Sequence, residues 1–468
     1  MRLNRSIQTL ALFGTAFVVA CQPQEHSGPP RNLLLITMDS VRADQFASPE
    51  LFSELPFALA HYTKEAQVFT GVSSVPATQP AIASLFTGRH PSALGSPSPD
   101  RKLPGDIPML AEAFADKGYD TAAFVAPYSL TTGTGIERGF QLFEGPSNTR
   151  LEDYEVTQAA RQWLSQSDRA DRPWFLWVHL NAGHGPYRAL ETAFNPLNFF
   201  NKSMVPYPRK LDRKLQRARA GDELVLDESS YAASPRTLPE YQRVGQPNVY
   251  SRYYAMYNAR VRVGDWFANE LRHALKHNKQ YDDTAVAIIG THGEALGEHG
   301  VEFDHGYNLF DEVLRVPFMI RVPGRNSEEA LGQASHVDFA PTMSALFALS
   351  PFVSSGHDLF SRSSSDASGH LAVSELYRPI GELSVTSVRS STWSVLASSG
   401  GETVAFDLTK DAAQTNPLQV ANQTTVAEHA RVLERHKQDS QVPIERAPLK
   451  PWVLKHLQAI GYVSSRFE

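Results

Sequence analysis

Three short apolar runs, each leading to a polar residue, place the strongest constraint on the fold of this chain. They read NLLLITM before Asp39, FLWVHL shortly before His184, and AVAII shortly before His292. Runs that are apolar at nearly every position are typical of parallel strands buried on both faces. Because segments with helical periodicity alternate with them, the sequence predicts an α/β fold with a mostly parallel central sheet flanked by helices.

The polar residues after these runs indicate where a functional site would lie. The carboxyl ends of parallel strands meet at one edge of an open sheet, and ligands bind at that edge. We therefore expect Asp39, His184 and His292 to converge, although they lie far apart in the sequence.

Composition and patterning divide the rest of the chain. A hydrophobic content of 42% over 468 residues is enough for one large core and a smaller second one. We predict an α/β domain over residues 31–350, interrupted by a polar insertion at 188–250, and a small C-terminal domain over 370–468 with antiparallel strands. The basic run KLDRKLQRAR in the insertion is either a solvated helix face or a surface that grips a substrate.

The N-terminus has the features of a bacterial lipoprotein leader. Two arginines precede LALFGTAFVVA, which is too short to span a bilayer as a stable helix, and the only cysteine of the chain, Cys21, follows. We predict a signal peptide at residues 1–20, lipidation of Cys21 and a flexible tether at 21–30. Gln22 after the cysteine favours the outer membrane of a bacterial cell envelope. The alternative is a soluble export signal followed by an incidental thiol.

The charge balance gives no indication of a nucleic-acid partner. The chain carries 44 Lys and Arg against 50 Asp and Glu, a formal net charge of −6 at pH 7. Nucleic-acid-binding domains carry an excess of positive charge on one face. We therefore expect a globular exported protein that binds no nucleic acid.

A series of motifs, taken in chain order, resembles the sulfatase family of the alkaline-phosphatase-like superfamily. They include NLLLITMDSVRAD, ASLFTGRHP, GYDTAAFV, PWFLWVHLNAGHGPY, THGEALGEHG, LFDEVLRVPFMIRVPG, HVDFAPTMSALF and VAFDLTKDAAQTNPL. The pairing of HGEALGEHG with LRVP is specific. The resemblance implies a central mixed sheet flanked by helices and a small C-terminal α+β domain with a four-stranded antiparallel sheet. It also implies hydrolysis or transfer of a sulfate or phosphate ester.

The resemblance places Thr78 where sulfatases carry the cysteine or serine that is oxidised to formylglycine. Because Cys21 is the only cysteine, formylglycine cannot form from cysteine in this chain. Relatives with threonine at this position attack phosphate esters, and a threonine hydroxyl needs a metal or a base to draw off its proton. We therefore predict that Thr78 is the nucleophile. The alternative is that Thr78 only caps the helix that follows it.

The resemblance also implies a metal site that includes Asp39 and His292 together with Thr78. We expect one divalent ion, zinc, manganese or calcium. Zinc or manganese fits these three ligands and one more, whereas calcium would need more carboxylate oxygens. Asp304 is the candidate for the further negative charge that this metal site lacks.

The chain departs from the sulfatase pattern at several positions around this site. Ser40 and Thr291 stand where sulfatases have two further aspartates, and Ile82 replaces an arginine that holds the anion. A lysine of the family pattern is also missing. These losses weaken both the metal site and the anion site that the resemblance implies.

Two histidines remain as candidates for proton transfer to or from the ester. His184 lies in GHGPY and His305 in DHGYNLFDE, and imidazoles exchange protons near neutral pH. Either could instead be a hydrogen-bonded structural histidine. Glu294 follows the metal motif, and we interpret it as a residue that orients His292.

Two functional hypotheses follow. In the first, the chain is a lipid-anchored hydrolase or transferase, with Thr78 attacking the sulfur or phosphorus of an anionic ester on a glycan or lipid. In the second, the chain is a degenerate relative that binds an anionic glycan or lipid headgroup without turnover. The retained Asp39, Thr78, His184, His292 and His305 favour catalysis.

Overall fold

The structure is a computed structural model, and it describes most of the chain between residues 29 and 459. The described residues are 29–45, 58–95, 98, 100–146, 152–166, 171–187, 225–227, 237–242, 249–327, 332–351, 353–361, 370–377, 383–419, 426–439 and 447–459. The predicted leader and Cys21 lie outside them, as do most of the tether and most of the insertion.

Helices lie between most of the long strands of the central sheet, whereas the last five strands of the chain follow one another directly. In chain order the strands are β1 Asn32–Met38, β2 Gln67–Val72, β3 Asp120–Val125, β4 Leu142–Glu144, β5 Trp174–Leu180, β6 Val225–Asp227, β7 Thr237–Pro239, β8 Thr284–Gly290, β9 Ala295–Leu296, β10 Glu302–Asp304, β11 Arg315–Arg321, β12 Gln333–Ser335, β13 Ala372–Tyr377, β14 Leu383–Arg389, β15 Trp393–Ser398, β16 Thr403–Asp407 and β17 Leu418–Gln419.

The helices vary from single turns to one of 28 residues. They are α1 Ala58–Tyr62, α2 Thr78–Thr87, α3 Pro91–Leu94, α4 Leu110–Asp116, α5 Asp153–Leu164, α6 Tyr250–His277, α7 Asp311–Leu314, α8 Phe339–Leu346, α9 Ala427–Asp439 and α10 Pro451–Ala459. No helix among the described residues is both long and apolar enough to cross a membrane.

The central sheet has eight strands in the order β12-β2-β11-β8-β1-β5-β3-β4. β1 lies in the middle, parallel to β8 on one side and to β5 on the other. β11 runs antiparallel to both β8 and β2, and it makes the sheet mixed. The predicted α/β fold with a mostly parallel mixed sheet is confirmed.

Burial on both faces explains why the strands are apolar at successive positions. All seven residues of β1 are buried, and so are all seven of β5 and of β8. Alternate side chains of β1 belong to two separate cores: Leu34 and Ile36 pack in the core that includes α6, whereas Leu33 and Leu35 pack in the core that includes α2 and α4. This arrangement is what a parallel sheet between two helical layers requires.

The C-terminal domain carries the antiparallel sheet that the resemblance implied, with one strand more than expected. β13 to β17 pair in sequence order, each antiparallel to the next. The fifth strand, β17, is only two residues long. α9 covers this sheet, with Leu433 buried against Val388 and Val395.

A buried carboxylate links this domain to the α/β domain. Glu375 on β13 accepts hydrogen bonds from the Ser92 amide at 2.9 Å and from His436 Nε2 on α9 at 2.5 Å, and also from the hydroxyls of Ser92 and Tyr377. Burial on its own would raise the pKa of Glu375. The hydrogen bonds and the charges of the neighbouring histidines outweigh burial and hold its pKa below the ordinary value.

We expect Glu375→Gln to lower the free energy of unfolding by about 2 to 3 kcal/mol at neutral pH, because the amide cannot accept all of these donors. The pKa of Glu375 is depressed by folding, so its stabilisation is present above the unfolded-state pKa and is lost as the pH falls through the folded-state pKa. The difference between wild type and variant should therefore narrow in acid. Urea unfolding over a series of pH values measures this difference.

Glu402→Gln is the matched control, since Glu402 is an exposed acid in the turn between β15 and β16. We expect it to change stability by less than about 0.5 kcal/mol. A Glu375→Gln deficit that stays constant with pH would show that the charge of Glu375 does not stabilise the junction.

Candidate active site

Four strands of the central sheet end at the edge where the polar residues lie. β1 leads to Asp39, β5 to His184 and β8 to His292. β2 runs in the same direction, since β11 is antiparallel to both β2 and β8, and it leads into the loop before Thr78. The sheet topology therefore brings all four residues to one edge.

Thr78 is the first residue of α2, and its side chain points back to β1. Thr78 Oγ1 lies 3.1 and 3.0 Å from the two carboxylate oxygens of Asp39 and donates its hydrogen bond there. The residue at the N-cap position is Ala77, whose side chain makes no capping hydrogen bond. The interpretation of Thr78 as a helix cap is wrong, because its hydroxyl binds Asp39 instead.

Asp39 is fully buried and is surrounded by donors. Besides Thr78, it accepts a hydrogen bond of 2.5 Å from Thr291 Oγ1, and His292 Nε2 lies 3.2 Å from Oδ1. Burial alone would raise the pKa of Asp39. The imidazoles of His179 and His292 outweigh this and hold its pKa well below the ordinary value, so Asp39 carries a negative charge.

His292 presents Nε2 to Asp39 because its other ring nitrogen is occupied. Nδ1 lies 2.8 Å from the carbonyl oxygen of Gly293, and Nε2 lies 3.4 Å from Thr78 Oγ1. Burial disfavours the charged imidazole, but the hydrogen bond and charge of Asp39 raise its pKa overall. Our interpretation of Glu294 as the residue that orients His292 is wrong, since the Gly293 carbonyl does so.

His179 is a site residue that the sequence did not reveal. It pairs in register with Thr37 of the neighbouring strand, and its Nδ1 lies 2.7 Å from Thr37 Oγ1. Its Nε2 lies 3.8 Å from Asp39 Oδ2. Trp177 Nε1 donates to Thr37 Oγ1 at 2.9 Å and fixes this arrangement. The one feature of the sequence that could have indicated this role is a histidine inside an otherwise apolar strand.

A second group of buried polar side chains lies beside the first. Glu294, Asp304 and His305 offer atoms that all lie within 4.8 Å of one another, in a group that could hold a metal ion. The His305 ring centroid is 4.1 Å from that of His292 and 5.2 Å from that of His184. Asp304, expected beside Asp39, thus belongs to the second group.

The electrostatics of this second group are dominated by burial. Burial raises the pKa of Glu294 to about 8 and also raises that of Asp304. Burial, with the charge of His292, lowers the pKa of His305 to about 3, so His305 is neutral at physiological pH. His305 Nδ1 lies 3.3 Å from Glu294 Oε1.

Part of the predicted insertion reaches the second group. Tyr241 donates a hydrogen bond of 2.7 Å to Asp304 Oδ1, and Gln242 Nε2 donates to the carbonyl oxygen of Phe303 at 2.7 Å. Nothing in the polar composition of the insertion singled out these two residues. The segment 237–242 therefore forms part of the wall of the site.

The loop between β2 and Thr78 is held from two sides. Ser73 Oγ lies 2.6 Å from the carbonyl oxygen of Thr291 and 2.8 Å from that of Val75. On the other side, Ser374 Oγ of the C-terminal sheet donates to the Ser73 carbonyl at 2.6 Å, and the Glu375 amide donates to the Ser74 carbonyl at 2.9 Å. The C-terminal domain thereby helps to position Thr78.

The end of β1 is held in an unusual backbone conformation. Ser40 has a positive φ of 53°, which costs energy for a residue with a side chain. Tyr257 on α6 donates a hydrogen bond of 2.9 Å to the Ser40 carbonyl. Arg42 binds the Glu294 carbonyl at 3.1 Å and Glu298 at 2.8 Å. These contacts connect the end of β1 to the loop that carries the second group.

Comparison with known proteins now identifies the family. The model of the family described as Sulfatase matches residues 31–349, about two thirds of the chain. The chain belongs to the sulfatase family. This confirms the family prediction, and it places the chain in a family of ester hydrolases that typically use a metal ion.

Individual relatives are distant. The chain is 27% identical over 370 residues to the choline-sulfatase of Rhizobium meliloti (strain 1021), covering 69% of each chain. It is 24% identical to the uncharacterized sulfatase YidJ of Escherichia coli (strain K12), covering 58% of each, so it spans little more than half of that relative. The phosphonate monoester hydrolase of Agrobacterium radiobacter has a similar fold, with a TM-score of 0.64 and 19% identity over 88% of this chain and 96% of that one.

We expect Ser73→Ala to lower the free energy of unfolding by about 1 to 2 kcal/mol, because the buried Thr291 carbonyl loses the hydroxyl that donates to it. Ser74→Ala is the matched control. Ser74 is equally buried, and its Oγ has no hydrogen-bond partner among the described residues. Urea unfolding of the two variants measures the difference, and equal losses would contradict the role given to Ser73.

Proposed function

We propose that this chain is a metal-dependent hydrolase or transferase in which Thr78 attacks the phosphorus or sulfur of an anionic ester. The observation that carries the proposal is the position of Thr78 Oγ1 between Asp39 and His292, 3.0 Å from the carboxylate and 3.4 Å from the imidazole. A hydroxyl in such a position can lose its proton, whereas an ordinary threonine hydroxyl is a poor nucleophile.

The chemistry of these residues fits a metal ion. Asp39 Oδ1, Thr78 Oγ1 and His292 Nε2 lie 3.1, 3.2 and 3.4 Å from one another. Ligands around a tetrahedral zinc ion, with bonds of about 2.0 to 2.1 Å, are about 3.3 Å apart. The carbonyl facing His292 Nδ1 would hold the imidazole proton at that nitrogen when Nε2 binds a metal ion. This is the arrangement of a metal ligand.

The same residues favour zinc or manganese over calcium. Calcium takes six to eight oxygen ligands, several of them carboxylate. Here Asp39 is the only carboxylate of the first group, with neutral hydroxyls at Thr78 and Thr291. Three protein ligands with a mixed N and O donor set are typical of catalytic zinc, which keeps one position open for water or substrate.

The residues of the chain take separate roles in the proposed reaction. A cation held by Asp39, Thr78 and His292 would supply the positive charge that lowers the pKa of the threonine hydroxyl. Thr78 stands at the N-terminus of α2, where the helix dipole favours the negative charge of the ester. The ring of His305 packs beside that of His292 and the ring of His184 beside that of His305, and we assign these two histidines the role of assisting the leaving oxygen.

The threonine nucleophile favours phosphate or phosphonate esters over sulfate esters. Threonine lacks the second hydroxyl of hydrated formylglycine, so release from the enzyme requires a second attack at phosphorus or sulfur. The natural substrate we propose is a phosphorylated or sulfated glycan or lipid. The similar fold of the phosphonate monoester hydrolase supports counting phosphorus esters among the candidate substrates.

A second candidate function is binding without turnover. Ser40, Thr291 and Ile82 replace residues that the sulfatase pattern uses to hold the metal and the anion, and Ile82 is fully buried and apolar. A degenerate member would bind an anionic glycan or lipid headgroup at the same edge of the sheet. The test below distinguishes the two.

We expect Thr78→Ala to lower kcat/KM for the ester that the protein hydrolyses by at least about a thousandfold, because the nucleophile is removed. Thr78→Ser should keep activity within about tenfold of wild type, since it retains the hydroxyl. The assay is a panel of aryl sulfate, phosphate monoester, phosphate diester and phosphonate substrates with added zinc or manganese.

Ser84→Ala is the control on the same helix. Ser84 is fully buried, and its Oγ has no hydrogen-bond partner among the described residues, so its loss should leave kcat/KM nearly unchanged. Equal rates for wild type and Thr78→Ala would remove Thr78 from the mechanism. If wild type hydrolyses no ester of the panel, and Thr78→Ala binds an anionic glycan as tightly as wild type does, the binding function is favoured.

We also propose that Cys21 carries lipid and anchors the protein in the bacterial cell envelope, at the outer membrane. The support is the leader sequence that ends at Ala20. Cys21→Ser should release the protein from the membrane fraction and abolish incorporation of labelled fatty acid, because acyl chains supply the apolar area that binds the membrane. Equal membrane recovery of the two proteins would contradict the anchor.

A further inference from the structure

We propose that Glu294, Asp304 and His305 form a second divalent-cation site, separate from the one at Thr78 and adjacent to it. The proposal concerns cation binding and stands whether or not Thr78 is the nucleophile. The site takes a zinc or manganese ion, because two carboxylates and one imidazole are ligands that both metals accept.

The ligand atoms of the three residues converge in the interior. They lie within 4.8 Å of one another, and Glu294, Asp304 and His305 are 0%, 5% and 6% exposed. Two carboxylates at this distance repel each other, and burial removes the water that would screen them. A cation between them would compensate both charges.

One carboxylate oxygen of this group has no partner. Glu294 Oε1 faces His305 Nδ1, whereas the buried Glu294 Oε2 makes no hydrogen bond of good geometry with a described residue, and the polar neighbour that it has outside the group is the Ser40 hydroxyl. An unpaired buried carboxylate oxygen costs free energy. A cation bound by the group would supply the partner that this carboxylate lacks.

Asp304 is oriented as metal ligands are. Two donors, Tyr241 Oη at 2.7 Å and the His305 amide at 2.9 Å, both bind Asp304 Oδ1, and they fix the plane of the carboxylate. Donors behind a ligating carboxylate orient it, and their loss weakens metal binding about ten- to a hundredfold. Tyr241 is therefore a positioning residue of the second site.

The two sites are neighbours by geometry. The rings of His292 and His305 lie 4.1 Å apart between centroids and are tilted by 34°. His292 and Glu294 are two residues apart on the loop after β8, and they serve different sites. Two cations held by adjacent groups of this kind could act together on the attacking and leaving oxygens of an ester.

The test is the zinc content of the purified full-length protein, stripped with chelator, reloaded with zinc and dialysed, and then measured by elemental mass spectrometry. We expect two zinc ions per chain in wild type and one in Glu294→Gln, in Asp304→Asn and in Asp39→Asn. Tyr241→Phe should bind the second zinc about ten- to a hundredfold more weakly in a titration against a competing chelator.

Glu298→Gln is the matched control, because it removes the same charge from the same loop but faces Arg42 rather than the cluster. We expect it to keep two zinc ions. One zinc in both wild type and Glu294→Gln overturns the proposal, as does retention of two in both Glu294→Gln and Asp304→Asn. Should those variants fail to fold, the wild-type stoichiometry and the Tyr241→Phe affinity decide.

Discussion

The structure of this site depends on one buried charge, the carboxylate of Asp39 at the end of the central strand. It is fully buried, and isolated carboxylates are not stable in that environment. The neighbouring strand ends and the start of α2 each contribute a group that compensates it: Thr78 from α2, Thr291 and His292 after β8, and His179 from β5. The Thr78 hydroxyl is thus positioned by the hydrogen bond that it donates to Asp39.

A second layer holds these groups at fixed distances. Ser73 joins the loop before Thr78 to the strand end that carries Thr291, and β13 of the C-terminal domain holds the same loop from the other side. Arg42 and Tyr257 fix the end of β1, where Ser40 adopts a left-handed backbone conformation. The cost of that conformation is offset by packing around it, as is common at functional sites.

The sequence was sufficient for the parts of the molecule that depend on local pattern. β1, β5 and β8 were recognisable because burial on both faces leaves no polar alternation, and Asp39, Thr78 and His292 follow from the strand ends and the family motifs. His179 was missed because a histidine inside a strand resembles a core residue, and Tyr241 because an insertion has no periodicity. Glu294 faces His305 rather than His292 because of the way the loop turns after β8, and the spacing of residues in the sequence does not show in which direction a loop turns.

We expect Thr78, Asp39 and His292 to bind one cation together. X-ray diffraction from crystals grown with zinc, measured on both sides of the zinc absorption edge, tests it most directly. The expected result is an anomalous peak about 2 Å from Thr78 Oγ1, an Asp39 carboxylate oxygen and His292 Nε2. No peak at this position, with His292 bonded directly to Asp39 in a zinc-loaded crystal, would contradict it.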